Sequence, residues 1–164
     1  MLAQNFCRDA CRHLKEGVRR IATCLDLIDE RTLWHNHSEQ LVSIGNLILH
    51  LRGNVSQYIL RGLGGRDFSR RREAEFTARP GRSKAQLLGD LSDTITEASG
   101  VIDGLADGEL DRDFAIQGFT LSGAGVVLHV VEHFSYHVGQ ITFATKLITG
   151  KSTDYYAGRN LNGE

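Results

Sequence analysis

The chain of 164 residues contains one proline, Pro80, and this scarcity of helix-breaking residues is the strongest constraint on its fold. Proline removes a backbone donor and clashes with the preceding turn, so it is excluded from helix interiors. Long helices can therefore form on either side of Pro80. Apolar residues recur at the three- and four-residue spacing of amphipathic helices over approximately residues 3–29, 38–61, 84–104 and 122–149. No internal repeat or βαβ alternation is present, and the pattern predicts an all-α four-helix bundle.

The expected ends of the second helix rest on capping residues. Ser38 is the predicted N-cap, and the apolar stripe runs from Leu41 to Val55. The helix is expected to stop near Gly62 and Gly64, because glycine readily adopts the left-handed conformation that closes many helices.

The third and fourth helices also have capping residues at their predicted ends. Ser83 is expected to cap the third helix, Ser122 to precede the fourth, and Gly150 to end it. Between the helices, residues 62–82 are predicted to form a long polar connection, and residues 107–123 an irregular or extended link.

Length and composition suit one soluble domain. We predict a single bundle over residues 1–150 and a polar C-terminal tail over residues 151–164. The net charge of -1 argues against nucleic-acid binding by the chain as a whole. No segment approaches the roughly 20 apolar residues that a membrane span requires, and the odd number of cysteines predicts reduced thiols. We therefore expect a cytoplasmic protein without a membrane segment.

Residues 127–141, VLHVVEHFSYHVGQI, place three histidines four residues apart in an apolar run. Residues i and i+4 of a helix differ by about 40° in direction, so His133 and His137 can both reach one metal ion. His129 lies about 80° from His137 and about 12 Å along the axis, so a straight helix cannot easily bring all three to one ion. A third ligand must come from another helix, and His50 is the best candidate. The alternative is that these are core histidines with ordinary hydrogen-bond partners.

Three amides lie close to these histidines in the helical pattern. Gln140 follows the last histidine of the run by three residues, and Asn46 and Asn54 flank His50 by one turn each. Such groups can hydrogen-bond a ligand histidine or a substrate. An equally favoured interpretation is that they pack between helices or cap a helix end.

The segments NLILHLRGNVSQYI and HFSYHVGQI resemble the DinB-like (DNA-damage-inducible) superfamily of metal-binding four-helix proteins. FAIQGFTLS and RRREAEF resemble an uncharacterised bacterial branch of that superfamily. The resemblance implies a four-helix bundle of DinB-like type and a divalent ion, nickel or zinc, bound by His50, His133 and His137. His129 has no ligand role in that motif, and we expect it to pack or hydrogen-bond beside the site.

The resemblance also implies a class of activity. Characterised members include thiol-dependent transferases and isomerases, in which a low-molecular-weight thiol is the cofactor and its thiolate attacks a small electrophilic substrate. Relatives often form a homodimer, which we expect here too. The alternative is a non-catalytic bundle that binds a metal or small ligand, and the sequence leaves catalysis open.

Residues 61–82 carry seven arginines against three carboxylates. This excess of positive charge could attract phosphate, nucleic acid or an anionic thiol. We favour a solvated loop, or ion pairing across a dimer. Aromatic residues are few in this connection, so a nucleic-acid-binding module is the least favoured function.

Overall fold

Four long helices and several short elements make up the computed structural model of the protein, which describes residues 1–36, 38–78 and 80–163. In chain order the elements are α1 (Leu2–Asp26), α2 (Glu30–Leu33), α3 (Ile44–Val55), a π-helical segment (Ser56–Leu63), α4 (Arg72–Thr77), α5 (Lys84–Asp103), α6 (Asp107–Asp111), β1 (Asp113–Ile116), β2 (Phe119–Ser122) and α7 (Gly123–Thr149).

The four long helices, α1, α3, α5 and α7, enclose one apolar core. Helix α1 packs against α5 and α7, and α3 packs against the same two helices. Each contributes fully buried side chains to the interior, for example Leu14, Leu51, Ile95 and Phe134. The predicted all-α four-helix bundle is therefore confirmed, because apolar stripes at helical spacing bury themselves against one another.

The second helix begins later than predicted. Ser43, not Ser38, is the N-cap, because its hydroxyl accepts a hydrogen bond from the backbone N–H of Asn46 while the Asn46 side chain accepts one from the Ser43 N–H. Residues 38–40 are turns and bends, and Leu41, which was placed in the apolar stripe, is 56% exposed. A stronger capping pair nearer the core thus determines where α3 starts.

The expected end of the second helix is also wrong in detail. Helix α3 continues as the π-helical segment to Leu63, and the N–H of Gly64 donates to the carbonyl of Ile59, five residues earlier. Gly64 keeps right-handed angles, and Gly65 instead has a positive φ of 67°. The left-handed glycine therefore lies one residue beyond the predicted pair.

Both connections contain regular structure that the sequence pattern did not predict. Helix α4 lies within residues 62–82, and α6 and the β1–β2 hairpin lie within residues 107–123. The hairpin turns at Gln117 and Gly118, whose φ angles of 54° and 83° are those of a type I′ turn. These elements are only four to six residues long, which is too short for a periodic apolar pattern to appear.

The capping residues predicted for the third and fourth helices are confirmed, whereas the first helix ends at Asp26 and not near residue 29, because Asp29 caps the separate helix α2. Ser83 and Ser122 are the N-caps of α5 and α7, and Gly150 ends α7 with a φ of 65°. Beyond it, the hydroxyl of Tyr155 lies 3.1 Å from Cys24 Sγ, so part of the polar tail packs against α1. No helix among residues 1–36, 38–78 and 80–163 has the length and apolar character needed to cross a lipid bilayer.

The contact of α1 with α7 can be tested at Gly17. A Cβ atom there would lie 2.6 Å from the Phe134 ring, so we expect Gly17→Ala to lower the free energy of unfolding by about 1–3 kcal/mol through overpacking. The matched control is Gly89→Ala on α5, where the Cβ meets open space. This variant should be more stable by up to about 1 kcal/mol because alanine favours helix. Urea unfolding of both variants measures the difference, and equal effects would contradict this packing.

Candidate metal centre

Three histidines from two facing helices meet in the bundle. His50 lies in the middle of α3, and His133 and His137 lie one turn apart on α7. One ring nitrogen from each lies within 4.8 Å of the others. His50 is buried and the other two are partly buried. The structure thus brings together the three residues that sequence reasoning singled out as metal ligands.

The spacing of the rings suits a shared ion. His133 Nε2 lies 3.0 Å from His50 Nε2. Two nitrogens bound to one zinc ion at about 2.0–2.1 Å in tetrahedral geometry are roughly 3.3 Å apart. The rings of His133 and His137 meet edge to face with centroids 4.5 Å apart, so they do not stack against each other. This group could hold a metal ion.

A nearly buried carboxylate orients the ring of His50. Glu75 Oε2, on α4, lies 2.9 Å from His50 Nδ1, and Arg70 donates to both Glu75 oxygens at 2.7 and 2.8 Å. Both charged side chains are nearly buried, at 11% and 5% exposure. Because the carboxylate accepts the Nδ1 proton of His50, the Nε2 lone pair is left for a metal.

The charge state of Glu75 supports this orientation. Burial acts to raise the pKa of its carboxyl, but the hydrogen bonds from Arg70 and His50 outweigh burial and hold the pKa below its usual range. The group is therefore an ionised acceptor at neutral pH.

The rings on α7 are held as neutral imidazoles. Burial and the neighbouring histidines lower the pKa of His133 to about 3. Burial also lowers the pKa of His137, against the opposing effect of a hydrogen bond to Gln140. His137 Nδ1 lies 2.7 Å from Gln140 Oε1 and donates to it, which leaves the His137 Nε2 lone pair available. Neutral imidazole is the form that binds metal.

His129 lies outside the group of three. Its ring packs on Tyr58 at a centroid distance of 4.5 Å and stacks against His133 at 5.7 Å. Burial lowers the pKa of His129, so it too is neutral at pH 7. The structure therefore places His129 as a wall of the site between Tyr58 and the histidine group.

The two asparagines predicted beside His50 have different surroundings. Asn46 donates to the backbone carbonyls of Glu75 and Ala78 at 2.8 and 3.2 Å, so it holds α4 in place in addition to capping α3. Asn54 is 4% exposed, and its Oδ1 accepts no hydrogen bond from the described residues. Asn46 thus acts on the site through α4, and Asn54 offers a buried acceptor one turn from His50.

Sequence reasoning missed Glu75 and the role of Arg70. Both lie in a connection whose charges gave no spacing pattern, and the only signal was the RRREAEF segment that resembles one branch of the superfamily. Gly53 makes their position possible, because a Cβ atom there would overlap the Glu75 carboxylate.

Several arginines of the connection are engaged within the chain rather than free. Arg72 lies over the ring of Phe76 at 4.9 Å, and Arg79 falls outside the described residues. Three others form ion pairs, Arg66 with Glu97, Arg70 with Glu75, and Arg82 with Asp90. These contacts reduce the positive charge that the connection presents to solvent.

Comparisons with known proteins agree on the fold. A conserved protein from Enterococcus faecalis is similar, with a TM-score of 0.71, 12% identity, and coverage of 88% of this chain and 97% of that one. A DinB-like protein, YjoA, from Bacillus subtilis is similar, with a TM-score of 0.66, 14% identity, and coverage of 88% and 93%. At these identities the likeness concerns the fold. No curated protein sequence matches the chain.

The family assignment rests on a match over nearly the whole chain. A model described as a protein of unknown function, DUF1572, matches residues 1–157. Together with the similarity to YjoA, this match agrees with the resemblance found in the histidine segments. The chain therefore belongs to the family DUF1572, and its fold is similar to that of a DinB-like protein.

Proposed function

We propose that the protein is a metal-dependent enzyme in which His50, His133 and His137 hold one divalent ion and a low-molecular-weight thiol is transferred to a small electrophilic substrate. The observation that carries this proposal is the convergence of three ring nitrogens within 4.8 Å, two of them oriented by partners on their opposite nitrogens. Three imidazole ligands would leave one or more positions open on the ion, as in catalytic rather than structural sites.

The residues present fit a late first-row ion such as nickel or zinc. Imidazole nitrogens suit both metals, and their carboxylate and amide partners are those that tune ligand basicity. When bound, such an ion lowers the pKa of a thiol or water that coordinates it.

The chain's own thiols are poor nucleophiles, which favours an external thiol. Cys7, Cys11 and Cys24 are all buried. Burial, with the charge of Asp103, raises the pKa of Cys11 to about 11, and burial also raises the pKa of Cys7. Reactive cysteines instead have a lowered pKa and solvent access.

Metal content tests the first step of this proposal. Untagged protein should contain about one divalent ion per chain, and His133→Ala should lose it because two imidazoles seldom hold an ion firmly. The matched control is His129→Ala, which removes a histidine from the same helix but outside the group of three. Elemental analysis after reconstitution and desalting measures the difference. An absence of metal from reconstituted wild-type protein would refute the site.

Turnover separates the enzyme from a non-catalytic metal-binding bundle. Metal-loaded protein should accelerate the reaction of one member of a panel of low-molecular-weight thiols with an aryl halide or epoxide, and His133→Ala should not. Metal binding without turnover across the panel would favour the non-catalytic alternative.

The role of Glu75 gives a second prediction. Glu75→Gln removes the charge that pairs with Arg70 and orients His50, so metal affinity should fall by about 10–100-fold and stability by about 3 kcal/mol. Glu97→Gln is the control, because it removes the same charge from the half-exposed pair with Arg66. The control should keep full metal affinity, as competition with a chromophoric chelator can show. Equal affinities of the two variants would exclude a positioning role for Glu75.

We also infer that the protein is a homodimer that pairs through α7. Four large apolar side chains on this helix are exposed by 59–70%, namely Leu128, Tyr136, Phe143 and Leu147. At 100° per residue they fall within an arc of about 100°. Glu132 and Lys146 lie on the same arc at nearly equal distances from Gly139. An antiparallel second copy centred on Gly139 would therefore place each glutamate near the partner's lysine, as a two-fold interface requires.

Replacement of Phe143 tests this pairing. The wild-type protein should sediment as a dimer, and Phe143→Glu as a monomer, because a charge would be buried in the interface. Leu41→Glu is the control, since Leu41 is also exposed but lies just before α3, outside the proposed interface on α7. A wild-type monomer, or a dimer that survives Phe143→Glu, would contradict the interface.

A further inference from the structure

A cavity separate from the histidine group lies between the π-helical segment and the β1–β2 hairpin. Its volume is about 300 Å³, and its walls include Gln57 and Arg61 from the π-helical segment and Phe114 and Gln117 from the hairpin. This volume is at the lower limit for sites that hold small molecules. None of the three histidines lines it, so it is distinct from the candidate metal centre.

The polar side chains of this cavity have hydrogen-bond donors to spare, and the oxygen of each amide already accepts one hydrogen bond from within the chain. Gln57 Oε1 accepts from Arg70 Nη1 at 3.0 Å, and Gln117 Oε1 accepts from the Tyr58 hydroxyl at 2.9 Å. Each amide therefore keeps its NH₂ group for another partner. Arg61 adds a guanidinium that forms no ion pair with the described residues, and no carboxylate lines the cavity. Such a surface fits an anion with several acceptor oxygens.

The backbone around the cavity departs from regular geometry on both sides. Gln57 and Arg61 lie on a π-helical segment, a rare conformation that often occurs at functional sites. On the other side, Gln117 occupies the first central position of the hairpin turn, whose type I′ geometry requires its positive φ of 54°. A Cβ atom at Gly62 would overlap Ile116, so the hairpin approaches the segment as closely as glycine allows. This close approach fixes the separation of the two walls of the cavity.

Two chains of contacts join the cavity to the candidate metal centre. On one side, the Arg70 guanidinium donates hydrogen bonds to both Gln57 and Glu75, and the Glu75 carboxylate in turn accepts one from His50.

On the other side, the Tyr58 hydroxyl donates a hydrogen bond to Gln117. The Tyr58 ring packs on His129, whose ring stacks against that of His133. A molecule bound in the cavity would therefore touch residues, Gln57 and Gln117, that along these chains are three contacts away from the histidine rings of the candidate centre.

We propose that this cavity is a subsite for the oxyanion group of a small-molecule substrate or cofactor, a carboxylate or a phosphate, held by Arg61 and by the side-chain NH₂ groups of Gln57 and Gln117. Its role as a subsite rests on the proposed metal function, whereas anion binding itself does not. The hydrophobic wall at Phe114 leaves room for an apolar part of the same molecule.

Titration with malonate and with inorganic phosphate tests the subsite directly. The side-chain NH₂ resonances of Gln57 and Gln117 should shift with a dissociation constant of about 1 mM or lower. Stronger binding of malonate would identify a carboxylate ligand, and stronger binding of phosphate a phosphate ester. Shifts confined to other residues, or none, would overturn the proposal.

Variants that keep the internal hydrogen bonds provide the sharpest comparison. Gln117→Glu retains the acceptor for Tyr58 but replaces the NH₂ donor with a negative charge, and it should abolish binding. Arg61→Ala should weaken binding by about tenfold, and Arg19→Ala, an exposed arginine on α1, should leave it unchanged. Equal binding by all three variants would overturn the proposal.

His133→Ala distinguishes failure of the subsite from failure of the metal function. The metal-free variant should still bind the preferred anion, because none of the cavity walls is altered. Loss of anion binding in this variant would show that the anion is held by the metal centre and not by the walls of the cavity, and would overturn the proposal.

Discussion

The carboxylate of Glu75 is the group on which the arrangement of the histidines depends. It lies within hydrogen-bond distance of both the Arg70 guanidinium and the His50 ring, in a region from which solvent is nearly excluded. An isolated charge in such a place would cost several kcal/mol, and its two partners offset that cost. The arginine therefore keeps the carboxylate ionised, and the carboxylate fixes the proton of the imidazole.

The bundle and the short elements have separate tasks in this protein. The four long helices provide the apolar core and bring α3 opposite α7, which sets the distance between His50 and the pair His133 and His137. Helix α4 and the hairpin contribute little to that core. Helix α4 instead supplies the carboxylate that orients His50, and the hairpin supplies one wall of the neighbouring cavity. The long helices thus set the distances between the three rings, and α4 sets the orientation of the His50 ring.

The sequence predicted those features that follow from helical periodicity. The four long helices were found, and the four-residue spacing of His133 and His137 correctly directed the search for a third histidine to another helix. Glu75 was not found, because it reaches His50 through tertiary contact across 25 residues and belongs to a helix of six. The π-helical segment was missed because its apolar spacing matches that of an ordinary helix. The start of α3 was misplaced because two serines compete as caps.

Helix α4 has no buried residue, although its Glu75 side chain reaches the candidate centre. It is held mainly by polar contacts, among them the two hydrogen bonds from Asn46 to its backbone. Segments with few buried apolar contacts open more readily than the core around them. Opening of α4 alone would then withdraw Glu75 from His50 while the three histidines stay in the bundle, so the orientation of the His50 ring would follow this local opening and not the unfolding rate of the bundle.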